Sequence, residues 1–157
     1  MKEIVLSRGL AALIDDEDWS LVSKYKWWAA PAWHTFYAKT DGRRPDGSRF
    51  KLRMHRLLLM PPDGLEVDHI NGDGLDNRRE NLRLATHAEN SRNLRMPSTN
   101  SSGLKGASWH KAAQKWRSRI IINGQDIHLG LFLTAEAAHA AYCVASAKYH
   151  GEFGKTA

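Results

Sequence analysis

The stretch VDHINGDGLDNRRENLRLATHAEN, residues 67–90, constrains the fold of this chain more than any other part of its sequence. A short apolar run ends at Asp68 and His69, and a loop rich in Asn, Asp and Gly follows. The segment NLRLA then returns as a second strand. Thr86 can cap a helix, with Glu89 three residues later completing a capping box. The stretch therefore predicts a strand, a polar loop, a second strand and a helix.

The same stretch carries side chains that could bind a metal. Neighbouring residues of a strand point to opposite faces, so Asp68 and His69 can share a site only where the strand ends or twists. Asn90 lies about one helical turn beyond Thr86, and a hairpin packed on the helix would bring Asp68 and Asn90 together. Two oxygen ligands completed by waters suit Mg²⁺, and a neutral His69 imidazole could take a proton from water. A merely hydrogen-bonded loop stays open, as does His87 as a ligand, whereas the acidic pattern of an EF-hand is missing.

These residues resemble the HNH endonucleases of the phage nicking and homing type. The ββα-metal (His-Me finger) motif of that family begins with Asp-His, passes an Asn in the hairpin, and ends with Asn or His on the helix. The match in this chain covers about residues 50–95 and runs through Asp68, His69, Asn81 and Asn90. The resemblance implies that Asp68 and Asn90 hold one divalent metal, with Mg²⁺ expected and Mn²⁺ possible. It also implies that His69 is the general base and that Asn81 pins the loop and orients His69.

The basic residues are unevenly distributed along the chain. Residues 1–90 contain 14 Lys and Arg against 14 Asp and Glu, whereas residues 91–157 contain 9 against 3 and carry the whole net charge of +6. A one-sided basic balance indicates a polyanionic partner such as nucleic acid, or a solvated basic surface. The change falls at NLRMPSTNSSGLKG, where Pro97 and small polar residues predict a linker. We therefore predict an HNH endonuclease domain at residues 1–96, with its motif at about 64–95, a linker at 97–103 and a DNA-binding domain at 104–157.

The part after the predicted linker has a simple pattern of elements. GASWHK, KWRSRIII and QDIHLGLF predict three antiparallel strands, the last two joined at Asn123-Gly124. A helix is expected from the Thr134 cap to Gly151. Small and aromatic residues fall on one stripe of this helix and predict its packed face: Ala138, Ala141, Tyr142, Ala145 and Tyr149. The overall fold class is α+β, an HNH domain followed by a small three-stranded sheet plus one helix.

This part resembles the ethylene-response-factor-type (apetala-two-like) DNA-binding domain over residues 102–153, through its Gly-x-Lys-Gly start, KWRSRI, HLGLF and TAEAAHAAY. The period of two in KWRSRIII puts Ser118 and Ile120 under the helix and leaves Arg117 and Arg119 on a free face. Arginines there can pair with phosphates or read guanine edges. The predicted DNA-binding residues are Lys105, His110, Lys111, Arg117, Arg119 and His128. Base specificity does not carry over, because Ser108 and His128 replace residues found in known members.

The first 60 residues predict further short elements. EIVL and AALI are expected strands, DDEDWSLVSKYKW a short helix, and HTFYAKT and SRFKLRMH a hairpin. The aromatic residues of this part are expected in the core: Trp19, Trp27, Trp28, Trp33 and Tyr37. His55 and Arg56 could contact phosphate, although a structural role for His55 is favoured.

The composition narrows the class of protein. A single cysteine, Cys143, excludes an internal disulfide and a structural zinc cluster built on cysteines, and favours a reducing intracellular compartment. The resemblance to phage HNH endonucleases implies a cytoplasmic protein of a phage or its bacterial host. No apolar run approaches the ~20 residues of a membrane span. The predicted activity is metal-dependent hydrolysis of phosphodiester bonds in double-stranded DNA, by a protein expected to be a monomer. The alternatives are a non-catalytic DNA-binding regulator that retains the fold, and a structural protein that binds DNA without sequence preference.

Overall fold

The computed structural model describes residues 1–93 and 100–156, in two compact units, Met1–Asn90 and Ser91–Ala157. The division lies where the charge balance changes. Pro97, which was expected to open the linker, and the two residues after it lie outside the described residues. The domain bounds given above therefore stay predictions.

The first unit begins with an antiparallel hairpin. The two predicted strands are present as β1, Lys2–Val5, and β2, Ala11–Ile14, and they pair with each other, which was not predicted. A 3₁₀ turn at Asp16–Asp18 leads into a single-turn helix α1, Trp19–Val22, so the predicted helix in this region is real but short.

A three-stranded antiparallel sheet follows in the order β3-β4-β5. Strands β4, Phe36–Arg43, and β5, Arg49–Arg53, form the predicted hairpin, whereas β3, Trp28–Pro31, was not predicted. The prediction that the last strand continues to His55 is wrong, because helix α2, Met54–Leu59, begins directly after β5. The side chains of Met54 and Leu58, one helical turn apart, are both buried, a spacing that suits a helix and not a strand.

The stretch at residues 67–90 folds in the predicted order. Strand β6, Glu66–His69, pairs antiparallel with β7, Leu82–Ala85, and helix α3, His87–Arg92, follows. The capping box is confirmed, since the backbone N–H of Thr86 donates to Glu89 Oε2 at 2.8 Å and that of Glu89 donates to Thr86 Oγ1 at 3.3 Å. The structure thus has the β-hairpin and helix that the sequence predicts.

The core of the first unit is made of small and medium apolar side chains from β1–β7, α1 and α2, together with the large ring of Trp27. Its fully buried members are Ala12, Ile14, Val22 and Met54. Among these five aromatic residues, the prediction of a core position holds for Trp27, whereas Tyr37 is half-buried outside the core cluster. Trp33 is 80% exposed, and Trp19 and Trp28 are both exposed at the surface, so for these three the prediction is wrong.

The second unit is an antiparallel sheet in the order β10-β9-β8, covered by one helix. Its elements are β8, Ala107–His110; β9, Lys115–Ile122; β10, Gln125–Phe132; and α4, Ala135–His150. Asn123 and Gly124 both have positive φ, as a two-residue hairpin turn requires. The Thr134 side chain caps α4, accepting from the backbone N–H of Ala137 at 3.1 Å.

The packed face of α4 differs from the predicted stripe at one end. Ala138, Tyr142 and Ala145 are buried against the sheet, but Tyr149 is exposed and the neighbouring His150 is buried instead. Gly106 lies so close to this face that a Cβ would fall 2.1 Å from Cγ of Tyr142. The helix can therefore cross the sheet closely only because that position is glycine. No helix in residues 1–93 or 100–156 is long and apolar enough to cross a membrane.

Candidate active site and nucleic-acid interface

Strand β6 places the two central candidates on opposite faces. The antiparallel register sets Asp68 opposite Arg83 and His69 opposite Leu82. By the alternation of a strand, Glu66 lies on the same face as Asp68, and Val67 on the same face as His69. The strand ends at His69, whose carbonyl accepts from the N–H of Gly72 at 2.8 Å. Asp68 and His69 are therefore adjacent in the chain but have separate surroundings.

The imidazole of His69 lies among aromatic rings. Its ring centroid is 4.9 Å from that of His55, at an interplanar angle of 89°, and 5.7 Å from that of Tyr37. The rings of Tyr37 and His55 also contact each other, with centroids 5.2 Å apart. His55 and His69 are only 3% and 5% exposed. The three rings form one cluster, which the sequence did not predict.

Burial decides the charge of both imidazoles. It lowers the pKa of His69 below the usual value, against the opposing effects of the Asn77 side chain and of nearby carboxylates, Asp68 first among them. Burial also lowers the pKa of His55 to about 3, with the His69 ring and nearby cations such as Arg53 acting in the same direction. Both rings are therefore neutral at pH 7, and a neutral His69 can accept a proton.

Asn81 ties the two ends of the loop together. Its Oδ1 accepts from the N–H of Asn71 at 3.0 Å, its Nδ2 donates to the carbonyl of Asp76 at 2.8 Å, and its own carbonyl accepts from the N–H of Ile70 at 2.9 Å. Asn71 adds a bond from its Nδ2 to Asp76 Oδ2 at 2.9 Å. Asn81 thus holds the backbone directly after His69, a geometry in keeping with its expected positioning role.

Asp68 is a buried carboxylate paired with an arginine. Nε and Nη2 of Arg83 both lie against Asp68 Oδ2, at 2.9 and 2.8 Å, and the Arg83 and Asp68 side chains are 12% and 5% exposed. Removing one partner of such a buried pair leaves a charge without compensation, which typically costs about 3–5 kcal/mol. Arg83 therefore supplies the positive charge that lies directly against the buried Asp68 carboxylate.

Asn90 on α3 interacts with Glu66 of β6. The Nδ2 of Asn90 donates to Glu66 Oε2, and Nδ1 of His87 lies 3.0 Å from Glu66 Oε1. The bond from Asn90, then that from His87, lowers the pKa of Glu66. Because a carboxylate can only accept, the amide nitrogen of Asn90 must face Glu66, and its oxygen points the other way. The His87 side chain itself is 86% exposed.

These donors can be compared with what a divalent metal requires. The described residues include no group of three or more His, Cys, Asp or Glu arranged to hold a metal. The structure gives Asp68 and Asn90 separate partners, Arg83 and Glu66, on the same side of the hairpin. Their carboxylate and amide oxygens are nevertheless the donor types that Mg²⁺ prefers, and Mg²⁺ usually keeps several waters. The donor chemistry fits Mg²⁺ with two protein ligands and not a complete protein cage.

Arg83, Glu66 and Tyr37 are members of the site that sequence reasoning missed. A usable signal existed for two of them, since the hairpin register puts Arg83 opposite Asp68 and the strand period puts Glu66 beside it. Tyr37 lies on β4, more than thirty residues earlier in the sequence, and its contact with His69 depends on tertiary packing.

On the second unit, the uncovered sheet face contains a depression of about 350 Å³. It is lined by His110, Arg117, Arg119, Asp126, His128 and Leu131. Ser118 and Ile120, the intervening residues of β9, are buried on the helix side, in agreement with the predicted alternation. Arg119 Nη1 forms an exposed ion pair with Asp126 at 2.8 Å.

Four of the six predicted DNA-binding residues thus share this depression, and two do not line it. Nζ of Lys105 donates to the carbonyl of Arg92 at 3.0 Å, and burial lowers the pKa of Lys105. Lys111 is exposed in the turn after β8, where its carbonyl accepts from the N–H of Gln114 at 3.3 Å.

Comparison with known proteins gives a family match that includes residues 67–90. Residues 60–92 match the HNH endonuclease family. A protein of Escherichia phage T7, named Protein 3.8, is 45% identical over 65 residues, which are 41% of this chain and 54% of that protein. A protein of Acanthamoeba polyphaga mimivirus, described as an uncharacterized HNH endonuclease, is 28% identical over 152 residues, 93% of this chain and 74% of that protein.

No solved structure matches the chain. The chain spans about half the length of the phage relative and three quarters of the mimivirus one. Residues 60–92 contain β6, β7 and α3, and with them the buried Asp68, His69 and Asn81. The hairpin and helix of this site therefore match the HNH endonuclease family, and the chain as a whole is similar to a protein described as a viral HNH endonuclease.

Proposed function

We propose that this protein is a metal-dependent endonuclease of the nicking or homing type that hydrolyses phosphodiester bonds in duplex DNA. The observation that carries the proposal is the buried, neutral His69 ring, held against Tyr37 and His55 one residue after the buried carboxylate of Asp68. A neutral imidazole kept away from bulk water can act as a hydrolytic base, and the carboxylate of the preceding residue, on the other face of the strand, is of the type that binds a cation.

Each residue has a separate role in this proposal. His69 takes the proton from the attacking water, and Asn81 keeps the backbone after His69 in place. Asp68 and Asn90 hold the divalent metal, Mg²⁺ or Mn²⁺, through a carboxylate and an amide oxygen. When bound, the metal would stabilise negative charge on the phosphoryl group and on the leaving 3′ oxygen. The products would carry 5′-phosphate and 3′-hydroxyl ends.

The second unit, in the same proposal, is an ethylene-response-factor-type domain that positions the nuclease on DNA. The supporting observation is the depression on its uncovered sheet face, where Arg117, Arg119, His110 and His128 meet. Such a face can pair with phosphates and reach base edges in the major groove. Lys105 and Lys111 remain candidates for contacts outside the depression. A monomer with one site of this kind would nick one strand.

A non-catalytic DNA-binding regulator is the second candidate. It is favoured by one observation, the ion pair between Asp68 and Arg83, which already neutralises the carboxylate expected at the metal. For the enzyme, Arg83 and a metal must share Asp68, or Arg83 must move.

A cleavage assay distinguishes the two candidates. The full chain is incubated with a supercoiled plasmid library of random target sequences, in Mg²⁺, Mn²⁺ or EDTA. The endonuclease converts part of the library to open circles, and the products disappear with EDTA and in Asp68→Ala and His69→Ala. His34→Ala, which changes an exposed histidine, serves as the control and should cleave normally. Tight binding of the library without any cleavage would support the regulator.

A further inference from the structure

We propose that the exposed face of the β4–β5 hairpin binds the sugar-phosphate backbone of duplex DNA and leads it to His69, an inference that rests on the proposed function. We call this surface the basic face. Its members are Lys39, Asp41, Arg43, Arg49, Lys51 and Arg53. Their alternation with Ala38, Thr40, Gly42, Phe50 and Leu52 places all six on the side of the hairpin away from the core.

The charge of the basic face is concentrated and little compensated. Five of its six residues are basic, within a unit whose 14 Lys and Arg are balanced by 14 Asp and Glu. Within residues 1–93 and 100–156, none of the five cations forms an ion pair with a carboxylate. Asp41, the single acid, instead accepts a bond from Trp28 Nε1 at 3.3 Å.

Two of the three cross-strand pairs on the basic face have like charges, and only the central pair, Asp41 and Lys51, has opposite charges. The register sets Lys39 directly opposite Arg53, and Arg43 directly opposite Arg49. Like charges in directly opposite positions of an antiparallel pair destabilise it. Two such pairs on one short hairpin are easily explained if a polyanion neutralises them, and the phosphates of DNA are the polyanion that the proposed nuclease would meet.

The basic face is continuous with the ring cluster at His69. Tyr37 precedes Lys39 by two residues on β4 and so lies on the same side of the strand. The guanidinium of Arg53 lies over the Tyr37 ring, 5.6 Å from its centroid, and that ring is 5.7 Å from His69. From Tyr37 to Arg43 the strand extends roughly 20 Å at a rise of about 3.3 Å per residue. A nucleic-acid strand on this face would therefore pass directly to His69.

The first test measures DNA binding in EDTA, so that its result does not depend on cleavage. The full chain and its Arg43→Gln/Arg49→Gln variant are titrated with a labelled DNA duplex by fluorescence anisotropy at several salt concentrations. Removing two cations that bind phosphate should lower the slope of log Kd against log salt by about 1.8. The Lys24→Gln/Lys26→Gln variant is the matched control, because it removes two exposed cations outside the hairpin and should keep the wild-type slope.

Two further measurements check that the variant still folds and that the other end of the basic face behaves in the same way. The melting temperature of Arg43→Gln/Arg49→Gln should equal or exceed that of the wild type, because a repulsive pair has been removed. Lys39→Gln/Arg53→Gln, at the end of the face beside Tyr37, should lower the slope by a similar amount. An unchanged slope in both hairpin variants, or an equal fall in the Lys24/Lys26 control, would overturn the proposal.

The same variants distinguish other ligands and the proposed function itself. Loss of binding to vesicles containing phosphatidylserine, with the DNA slope unchanged, would overturn the inference in favour of a membrane surface. Reduced slopes in a protein that never cleaves DNA would leave the basic face as a DNA surface and reject the nuclease. Cleavage with unchanged slopes would retain the nuclease and reject this inference.

Discussion

The two faces of β6 bury an ionisable side chain in opposite ways. On one face, His69 is surrounded by the rings of Tyr37 and His55 and loses its charge, since burial lowers its pKa. On the other face, the buried carboxylate of Asp68 pairs with the guanidinium of Arg83 at 2.8 Å. A neutral base and an anionic ligand site can therefore occupy consecutive residues, provided that the strand separates their surroundings.

The two faces of β6 should also differ in the conditions that destabilise them. The face of β6 that contains the Asp68–Arg83 pair, here called the ion-pair face, is sensitive to the loss of one partner, because a buried carboxylate would be left without its cation. The other face, here called the ring face, contains His69 and the neighbouring His55 ring. Its stability depends on pH, because these two imidazoles bind a proton more readily in the unfolded chain than in the folded protein. Variants of each face should thus fail under different conditions.

The largest effect is expected at Arg83. Arg83→Met should lower the free energy of unfolding at pH 7 by about 3–5 kcal/mol, because it removes the cation that pairs with the buried Asp68 carboxylate. Urea denaturation would measure the change. Arg119→Met, in the exposed pair with Asp126 whose side chains are 50% and 49% exposed, is the control and should cost about 1 kcal/mol or less. Adding Asp68→Asn to Arg83→Met should recover part of the stability, and a cost below about 1 kcal/mol for Arg83→Met would contradict the pairing.

The burial of His55 on the ring face should make the protein less stable at acidic pH. The pKa of His55 is about 3 in the folded protein, against about 6.5 in an unfolded chain. The stability that this difference provides is complete above about pH 6.5 and is lost, by about 1.4 kcal/mol per pH unit, as the pH falls towards 3. His55→Phe keeps a ring in place and should flatten the decline between about pH 6.5 and 4.5, measured as urea midpoints. His34→Phe should retain the wild-type slope, and so should His55→Phe if the account is wrong.

A smaller effect is expected where Glu66 orients Asn90. Gln can donate as well as accept, so Glu66→Gln would no longer force the Asn90 amide nitrogen towards β6. If Asn90 is a metal ligand through its oxygen, Mn²⁺ affinity measured by calorimetry should fall roughly tenfold. Glu80→Gln, which changes an exposed carboxylate outside the site, should bind Mn²⁺ as the wild type does. Equal affinities in all three proteins would count against Asn90 or against its orientation by Glu66.

The smallest structural change tests the second unit. Arg117→Gln/Arg119→Gln should reduce the slope of log Kd against log salt by about one for each phosphate that the protein no longer binds. The part of the slope that depends on the basic face of the β4–β5 hairpin should not change. Lys148→Gln, an exposed cation near the end of α4, is the control for charge alone. An unchanged slope in the double variant would remove the depression from the DNA-binding surface.

Most elements of the fold could be predicted from patterns among neighbouring residues. The Asn123-Gly124 turn, the Thr86–Glu89 capping box and the strand alternation of KWRSRIII depend on neighbouring residues, and each appears in the structure as predicted. Helix α2 was missed, which shows the limit of such patterns. It is short and follows β5 directly, so the strand alternation of SRFKLR was wrongly extended into the next two residues, MH. Hydrophobicity alone also misled at Trp33, which is exposed.

The sequence pointed to candidate site residues but not to their surroundings. Asp68, His69 and Asn90 were candidates from their places at the strand end and on the helix, and Asn81 was added by the resemblance to HNH endonucleases. The sequence could not reveal that β4 and α2 supply the Tyr37 and His55 rings around His69, since those contacts depend on how separate elements pack. The roles of the four residues in cleavage stay predictions until activity is measured.

The most direct test of the central claim is chemical rescue of His69→Gly. The variant creates a gap among the rings of Tyr37 and His55 that added imidazole can enter. Nicking of a plasmid substrate in Mg²⁺ should fall by about 10²–10⁴-fold in the variant and recover as imidazole is raised, whereas His34→Gly should show neither effect. Nicking at the wild-type rate by His69→Gly without imidazole would show that His69 is not the base.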